Sequence, residues 1–176
     1  DTLFNNPRPP EEAIRRYFSE APSIKYWATH FYKETENARR EKIFAPRART
    51  VIQLISKIYA NKGLEDIKWI ADIGSGFGVF CEEMNKLVPK EVEVLAIEPS
   101  PPLAQICKNK GLSVVETWLE DLKTKDFPDN RGSNCILTAY EMIMHVYNPL
   151  EFFKTCKRIL NSGDLLIFTG LNGMGL

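Results

Sequence analysis

A nine-residue segment, ADIGSGFGV at positions 71–79, constrains this chain more than any other stretch. An apolar run precedes it, and apolar residues recur at helical spacing after it until Pro89. This pattern predicts a buried strand, a glycine loop and a helix, in that order. Because glycines let backbone N–H groups at a helix start approach a ligand closely, the segment predicts a cofactor site at the end of the first strand.

The spacing of the glycines narrows the choice of cofactor. A dinucleotide fingerprint needs a third glycine three places after the second, where this chain has Val79. Residues 72–78 instead read DxGxGxG. The next strand, residues 92–97, ends in Glu98-Pro99, where nucleotide-binding α/β folds place an acid on the ribose hydroxyls. An acid at this position can bind the ribose of either NAD or S-adenosylmethionine, so it does not distinguish these two cofactors.

The glycine pattern resembles the first motif of the class I S-adenosylmethionine-dependent methyltransferases. Three later segments are similar, in the right order, to the small-molecule branch that includes the ubiquinone-pathway O-methyltransferases. Residues 111–122 resemble its third strand and adenine loop, residues 139–150 its segment after the fourth strand, and residues 161–170 its turn and fifth strand. The resemblance implies an enzyme that binds S-adenosylmethionine, transfers its methyl to a small-molecule acceptor by in-line displacement, and releases S-adenosylhomocysteine.

The resemblance also implies which residues form the site. The predicted cofactor-binding residues are Asp72, Gly74, Ser75, Gly76, Gly78, Glu98, Pro99, Leu119, Glu120 and Tyr140. His145 is the candidate catalytic residue, because the ordinary pKa of a histidine suits a general base. It follows Glu141 by four residues, the spacing that places two side chains on one face of a helix. The alternative is that His145 only packs or hydrogen-bonds beneath the loop.

Two positions depart from the family pattern. Trp118 stands in the adenine loop where relatives often have an acid, so we expect Glu120, Asp121 or the backbone to recognise the adenine amino group. Some relatives read ExxEH after the fourth strand, a set of groups suited to a metal. Here Met144 replaces the second acid, and no metal is predicted.

Charge and composition exclude several classes of protein. Lys plus Arg equals Asp plus Glu at 23 each, which argues against a domain held to nucleic acid by phosphate neutralisation. No apolar run approaches a membrane span and no leader is recognisable, which predicts a cytoplasmic protein without a membrane partner. The four cysteines lack metal-ligand spacing and are interpreted as reduced core thiols.

Residues 1–45 differ in character from residues 46–176, and we expect a helical cap or lid before the cofactor-binding domain. The cap is rich in aromatic residues: Tyr17, Phe18, Tyr26, Trp27, Phe31 and Tyr32. They are either packing residues or a lid over the sulfonium, whose charge aromatic faces favour. A basic cluster, comprising Arg39, Arg40, Lys42, Arg47 and Arg49, is interpreted as a solvated helix face.

Strands that alternate with helices predict a Rossmann-like α/β fold with a doubly wound parallel sheet. The order expected from the resemblance is 3-2-1-4-5, without the family's strands 6 and 7. We therefore expect a chain truncated at its C-terminus, with the edge of the fifth strand, residues 165–168, covered by the cap or by a second copy.

The sequence bears on three rival functions. Base methylation of nucleic acid is disfavoured because AYEM follows the fourth strand instead of the Asn/Asp-Pro-Pro-Tyr motif, and Cys135 follows Asn134 instead of a proline. A nicotinamide-dependent oxidoreductase is disfavoured by Val79 and by the lack of an evident Tyr-x-x-x-Lys pair. A non-catalytic domain that binds S-adenosylmethionine or a nucleotide stays open.

Overall fold

Five parallel strands form the centre of the fold. The structure, a computed structural model, describes residues 7, 9–60, 62–128 and 134–171. The strands are β1 (Ile67–Ile73), β2 (Glu93–Ile97), β3 (Ser113–Val115), β4 (Asn134–Ala139) and β5 (Leu165–Phe168). They lie in the order β3-β2-β1-β4-β5. This order confirms the predicted Rossmann-like sheet and places the reversal of strand order between β1 and β4.

Seven α-helices surround this sheet or precede it. They are α1 (Glu11–Glu20), α2 (Pro22–Tyr26), α3 (Tyr32–Arg39), α4 (Ala45–Ile58), α5 (Val79–Asn85), α6 (Pro101–Asn109) and α7 (Pro149–Ile159). Two π-type turns, Trp27–Phe31 and Arg40–Phe44, flank α3. The proposed boundary after residue 45 therefore falls at the start of α4, and its status as a domain boundary stays a prediction.

Each face of the sheet carries its own apolar core, because successive strand residues point to opposite sides. Trp69 in β1 and Leu137 in β4 face α7. Ile70 and Ile136, their neighbours in sequence, face α4. All four side chains are fully buried, which explains why both strands read as almost continuous apolar runs.

The two longest helices differ in detail from the sequence-based expectation. The helical spacing of Val51, Ile55 and Ile58 favours one buried stripe, but α4 ends at Ile58 and this side chain is 53% exposed. Tyr59 leaves the helix there and its hydroxyl donates to the carbonyl of Gly163. In α7, Leu150 and Phe153 are exposed and the buried face begins one position away, at Phe152.

A network of charges joins the N-terminal cap to the sheet domain. Arg40 donates to Glu36 on its own helix and to Glu82 and Glu83 on α5, at 2.6–2.8 Å. Lys110 donates to Glu36 and Glu82 at 2.9–3.0 Å. The interpretation of the basic cluster as a solvated face is therefore wrong for Arg40, because its partners lie on distant segments of the chain.

The outer edge of β5 has no strand beside it in the described part of the chain. β5 pairs with β4, and the cap supplies no strand to its other edge. Phe168 is 44% exposed and lies 5.5 Å, ring centre to ring centre, from Phe153. Cover of this edge by the cap or by a second copy stays a prediction.

No helix in the described ranges is both long enough and apolar enough to cross a membrane. Cys81, Cys107, Cys135 and Cys156 are all buried and without a disulfide partner.

We expect Arg40→Met to lower the free energy of unfolding by about 1–3 kcal/mol, because Glu82 and Glu83 would lose their shared cation in a partly buried setting. Urea denaturation measures this loss. Arg16→Met is the matched control, since Arg16 pairs with Glu20 on an exposed helix face and such pairs contribute less than about 1 kcal/mol. Equal losses in the two variants would contradict a docking role for Arg40.

Candidate cofactor site

A cavity of about 330 Å³ opens at the carboxyl ends of β1, β2 and β4. Doubly wound sheets bind their ligands at this position, beside the reversal of strand order. Ten of the eleven residues predicted from the sequence line it: Asp72, Gly74, Ser75, Gly76, Glu98, Pro99, Leu119, Glu120, Tyr140 and His145. Gly78 does not line it.

All three glycines of the loop have positive φ angles, between 58° and 76°. Gly76 and Gly78 nevertheless have different roles. A Cβ atom built on Gly76 would meet no protein atom within 4 Å, so this glycine borders space left open for a ligand. A Cβ atom on Gly78 would lie 2.4 Å from the side chain of Leu112 and 2.9 Å from Sγ of Cys107. Gly78 is thus required for packing against α6 and the residues that follow it.

The Glu98 carboxylate lies at the end of β2, 5% exposed. One oxygen accepts from the N–H of Gly76 at 2.7 Å, and the other accepts from the N–H of Ser100 at 2.9 Å. Burial raises the pKa of Glu98 from its ordinary 4.5 to about 7, while these two hydrogen bonds oppose the shift. Each oxygen keeps a free lone pair with which it can accept from a ligand hydroxyl.

The Asp72 carboxyl lies at the end of β1 and is also buried. It accepts from the Thr138 hydroxyl at 2.6 Å. Burial raises its pKa to about 7, opposed by this hydrogen bond and by the charge of Arg47. In the window between the ordinary carboxyl pKa and about 7, the folded protein binds protons that the unfolded chain has released, so the free energy of unfolding falls as the pH rises through it.

The adenine-loop segment after β3 brings Trp118, Leu119 and Glu120 to the cavity wall. Asp121 instead accepts from Arg15 of the cap at 2.7 Å and does not line the cavity. Of the two acids expected to recognise the adenine amino group, Glu120 therefore lines the cavity and Asp121 does not.

The segment after β4 is not helical, so the expectation that Glu141 and His145 share a helical face is wrong. The chain turns at Glu141, which has a φ of 55°, a conformation that side chains other than glycine rarely adopt. Thr169 holds it: the Glu141 N–H donates to the Thr169 hydroxyl at 3.2 Å, and the hydroxyl donates to the Glu141 carboxylate at 2.9 Å. Both Glu141 and His145 nevertheless line the cavity.

The side chain of His145 is exposed to the cavity. Desolvation by the surrounding protein lowers its pKa, while the charge of Glu141 opposes the shift. The Phe18 ring of the cap lies edge-on to the imidazole at 5.8 Å between ring centres. A neutral imidazole at neutral pH is the form that accepts a proton.

Two arginines that the sequence pattern assigns to a solvated helix face instead line the cavity: Arg39 in the cap and Arg47 in α4. Arg47 lines the cavity, with its guanidinium 4.7 Å from the centre of the Tyr140 ring. Arg39 lines it too, and its guanidinium lies within 6.0 Å of four aromatic rings, those of Phe31, Tyr32, Phe44 and Phe77. The Nε atom of Arg39 is buried and has no hydrogen-bond partner, which points to an anionic group in the cavity.

Among the described residues, no three His, Cys, Asp or Glu side chains lie close enough together to hold a metal ion.

Comparison with known proteins identifies the family. Residues 71–168, more than half of the chain, match the family described as methyltransferase domain. The chain belongs to this family. This membership confirms the family, the fold and the S-adenosylmethionine cofactor expected from the motifs. The open space at Gly76 and the unpaired Nε of Arg39 are consistent with such a ligand in the cavity.

Two relatives match this methyltransferase domain over part of their own length. A ubiquinone biosynthesis O-methyltransferase from Xanthomonas oryzae pv. oryzae is 30% identical over 105 residues, 58% of this chain and 43% of that protein. A protein of the same name from Actinobacillus pleuropneumoniae is 26% identical over 108 residues, 60% of this chain and 46% of that protein. The chain thus spans less than half the length of either relative.

Solved structures resemble the methyltransferase domain over more of its length. The plantazolicin methyltransferase BpumL in complex with S-adenosylhomocysteine superposes with a TM-score of 0.67 over 91% of this chain and 58% of its own, at 16% identity. The sugar N-methyltransferase KedS8 from Streptoalloteichus gives a TM-score of 0.60 over 82% of this chain and 56% of its own, also at 16% identity. At this identity the likeness shows the fold.

We expect Gly76→Val to abolish binding of S-adenosylhomocysteine, measured by calorimetry, while a cooperative thermal transition is retained. The valine would project into ligand space and meet no protein atom. Gly111→Val is the control, because Gly111 has the same sign of φ, equally open surroundings and no place in the cavity wall. Loss of the cooperative transition in the Gly76 variant alone would mean that this glycine is structural.

Proposed function

We propose that this chain is the cofactor-binding core of an S-adenosylmethionine-dependent methyltransferase that acts on a small-molecule acceptor. The observation that carries the proposal is the convergence of an open glycine loop, a buried carboxylate and a wall of cap side chains on one cavity. The names of the relatives, an O-methyltransferase and a sugar N-methyltransferase among them, support a small acceptor.

Different residues of the chain would bind different parts of the cofactor. Glu98 accepts from the ribose hydroxyls, since each of its oxygens retains a lone pair. Leu119 and Glu120 contact the adenine at the far end of the cavity. Arg39, the cavity arginine with a buried and unpaired Nε, binds the carboxylate of the methionine part. Gly76 leaves room for the ligand along the loop, and Gly74 and Ser75 border the same cavity.

When bound, the cofactor supplies a methyl group already activated by its sulfonium. The protein then has to hold the acceptor in line with that methyl and exclude water, a contribution of proximity and orientation. The cap forms the wall opposite the strands, through residues such as Ile14, Phe18 and Tyr32. It is therefore proposed as the lid that completes the acceptor pocket.

His145 is proposed as the general base for an acceptor that keeps its proton. It lines the cavity, and its lowered pKa leaves the imidazole neutral and able to accept a proton at neutral pH. Glu141, on the same wall, is a positioning residue that holds the turn and whose charge acts on the imidazole.

A non-catalytic domain that binds the same cofactor is the second candidate, and only an activity measurement separates it from the enzyme. Native mass spectrometry of the purified chain identifies any retained adenine ligand and distinguishes S-adenosylmethionine from a nicotinamide cofactor. A panel of hydroxyl, amine and carbon acceptors, scored by release of S-adenosylhomocysteine, then tests methyl transfer. A chain that binds the cofactor and turns over no acceptor on the panel would favour the non-catalytic alternative.

We expect Glu98→Ala to weaken binding of S-adenosylhomocysteine by about 1–3 kcal/mol, the range for hydrogen bonds to a charged group. Calorimetry at pH 8 measures the change. Glu93→Ala is the control, because Glu93 lies at the opposite, exposed end of the same strand. Unchanged affinity in the Glu98 variant would remove this residue from the ribose site.

The pH dependence gives an independent check of the same carboxylate. Below about pH 7 a protonated Glu98 has fewer acceptor sites, so affinity for S-adenosylhomocysteine should fall as the pH drops through about 7. Glu98→Ala should make this dependence shallower, with Asp72 supplying the remainder. An identical slope in both proteins would mean that Glu98 does not titrate on binding.

We expect His145→Gln to lower kcat for a hydroxyl acceptor by roughly 10²–10⁴-fold, the usual contribution of a general base. Cofactor affinity should stay within about threefold, because glutamine keeps a polar side chain of similar size. If the variant keeps the kcat of the parent chain at every pH from 6 to 9, His145 has only a packing role against Phe18.

A further inference from the structure

Helix α1 covers the adenine end of the cavity but is held there by few contacts. Four of its residues, Glu11, Ile14, Arg15 and Phe18, line the cavity. None of the ten residues of α1 is fully buried. By contrast, residues 32–44 of the cap are anchored to the sheet domain by the charge network around Arg40.

Arg15 makes the contacts that join α1 to the adenine loop. Its Nη1 donates to the Asp121 carboxylate at 2.7 Å, and its guanidinium carbon lies 5.1 Å from the centre of the Trp118 ring. Its Nε donates to Glu11 at 2.9 Å, which fixes the guanidinium from the side of α1. The planar guanidinium of Arg15 thus pairs with two carboxylates and lies near the face of the Trp118 ring.

Trp118 receives a second contact from α1. The Phe18 ring lies edge-on to it at 6.0 Å between ring centres, and the same Phe18 reaches His145. An acid at position 118 would offer no aromatic face to either Arg15 or Phe18. The tryptophan that replaces the family's acid therefore attaches the adenine loop to the cap.

The outer face of α1 has no such contacts. Arg16 pairs at 3.0 Å with Glu20 on the same helix, and both side chains are mostly exposed. Ala21, in an extended conformation, then separates α1 from α2. Opening of α1 would break the Arg15 and Phe18 contacts and leave the rest of the cap in place.

We propose that Arg15, Asp121 and Trp118 form a clasp that closes α1 over the adenine end of the cofactor and has to open for the cofactor to enter and leave. Arg15 and Trp118 are positioning residues in this scheme. That the ligand is S-adenosylmethionine or its product rests on the proposed function. The clasp itself rests on the contacts just described.

Stopped-flow measurement of S-adenosylhomocysteine dissociation from the full chain tests whether the clasp has to open before the ligand can leave. Arg15→Met keeps the apolar stem and removes the fork, and we expect it to raise the dissociation rate about tenfold, the combined effect of a short ion pair and a cation–π contact. Trp118→Leu should have a similar effect, and Trp118→Phe should restore a rate near that of the parent. Arg16→Met, on the outer face of the same helix, should leave the rate unchanged.

Hydrogen exchange of α1 in the ligand-free chain tests the clasp independently of ligand identity. The amides of residues 15–20 should exchange severalfold faster in the Arg15→Met and Asp121→Asn variants than in the parent or in Arg16→Met. If the parent chain fails to bind S-adenosylhomocysteine but these differences appear, the proposed function is overturned and the clasp is retained. Unchanged exchange in α1, or equal dissociation rates for the Arg15 and Arg16 variants, overturns the clasp.

Discussion

The attachment of the glycine loop to the end of β2 is the interaction on which the rest of the site depends. Three hydrogen bonds make it: the N–H groups of Gly74 and Ser75 donate to the carbonyl of Ile97, and that of Gly76 donates to Glu98. They hold the loop in left-handed conformations that leave ligand space beside Gly76. The carboxylate that shapes the loop is also the one proposed to bind the ribose. Burial raises its pKa, and the hydrogen bonds from Gly76 and Ser100 oppose that shift.

The cap is attached to that same loop. Phe77, between Gly76 and Gly78, is 3% exposed and stacks on Tyr32 at 4.2 Å between ring centres. Phe44 meets it edge-on at 5.7 Å. A displacement of the middle part of the cap is therefore transmitted to the backbone beside the ligand. This attachment explains why the cavity wall includes so many residues from the first third of the chain.

The sheet and the cofactor loop could be predicted from the sequence because both are local patterns with a fixed period. The apolar runs of β1 and β4, the glycine spacing and the acid after β2 each require only neighbouring residues. The orientation of Arg39, Arg40 and Arg47 could not be predicted in this way. Their partners are up to 94 residues away in sequence, and composition alone makes a basic helix face look solvated.

Helical spacing in the sequence also predicts side-chain faces that the structure does not have, and particular contacts explain the differences. Glu141 and His145 have helical spacing in a segment that turns instead, because the left-handed Glu141 is held by Thr169, a residue 28 positions later. The buried face of α7 begins at Phe152 because Asn148 caps the helix and fixes where it starts.

The π-type turns on either side of α3 have a consequence for how the cap can vary. Each such turn accommodates about one residue more than a regular turn, and one residue corresponds to a rotation of roughly 100° about a helix axis. A single deletion within residues 40–44 would therefore turn everything upstream by about a quarter of a revolution and leave α4 on the sheet. A one-residue change of length at this turn would thus present a different side of the cap to the cavity without any new core.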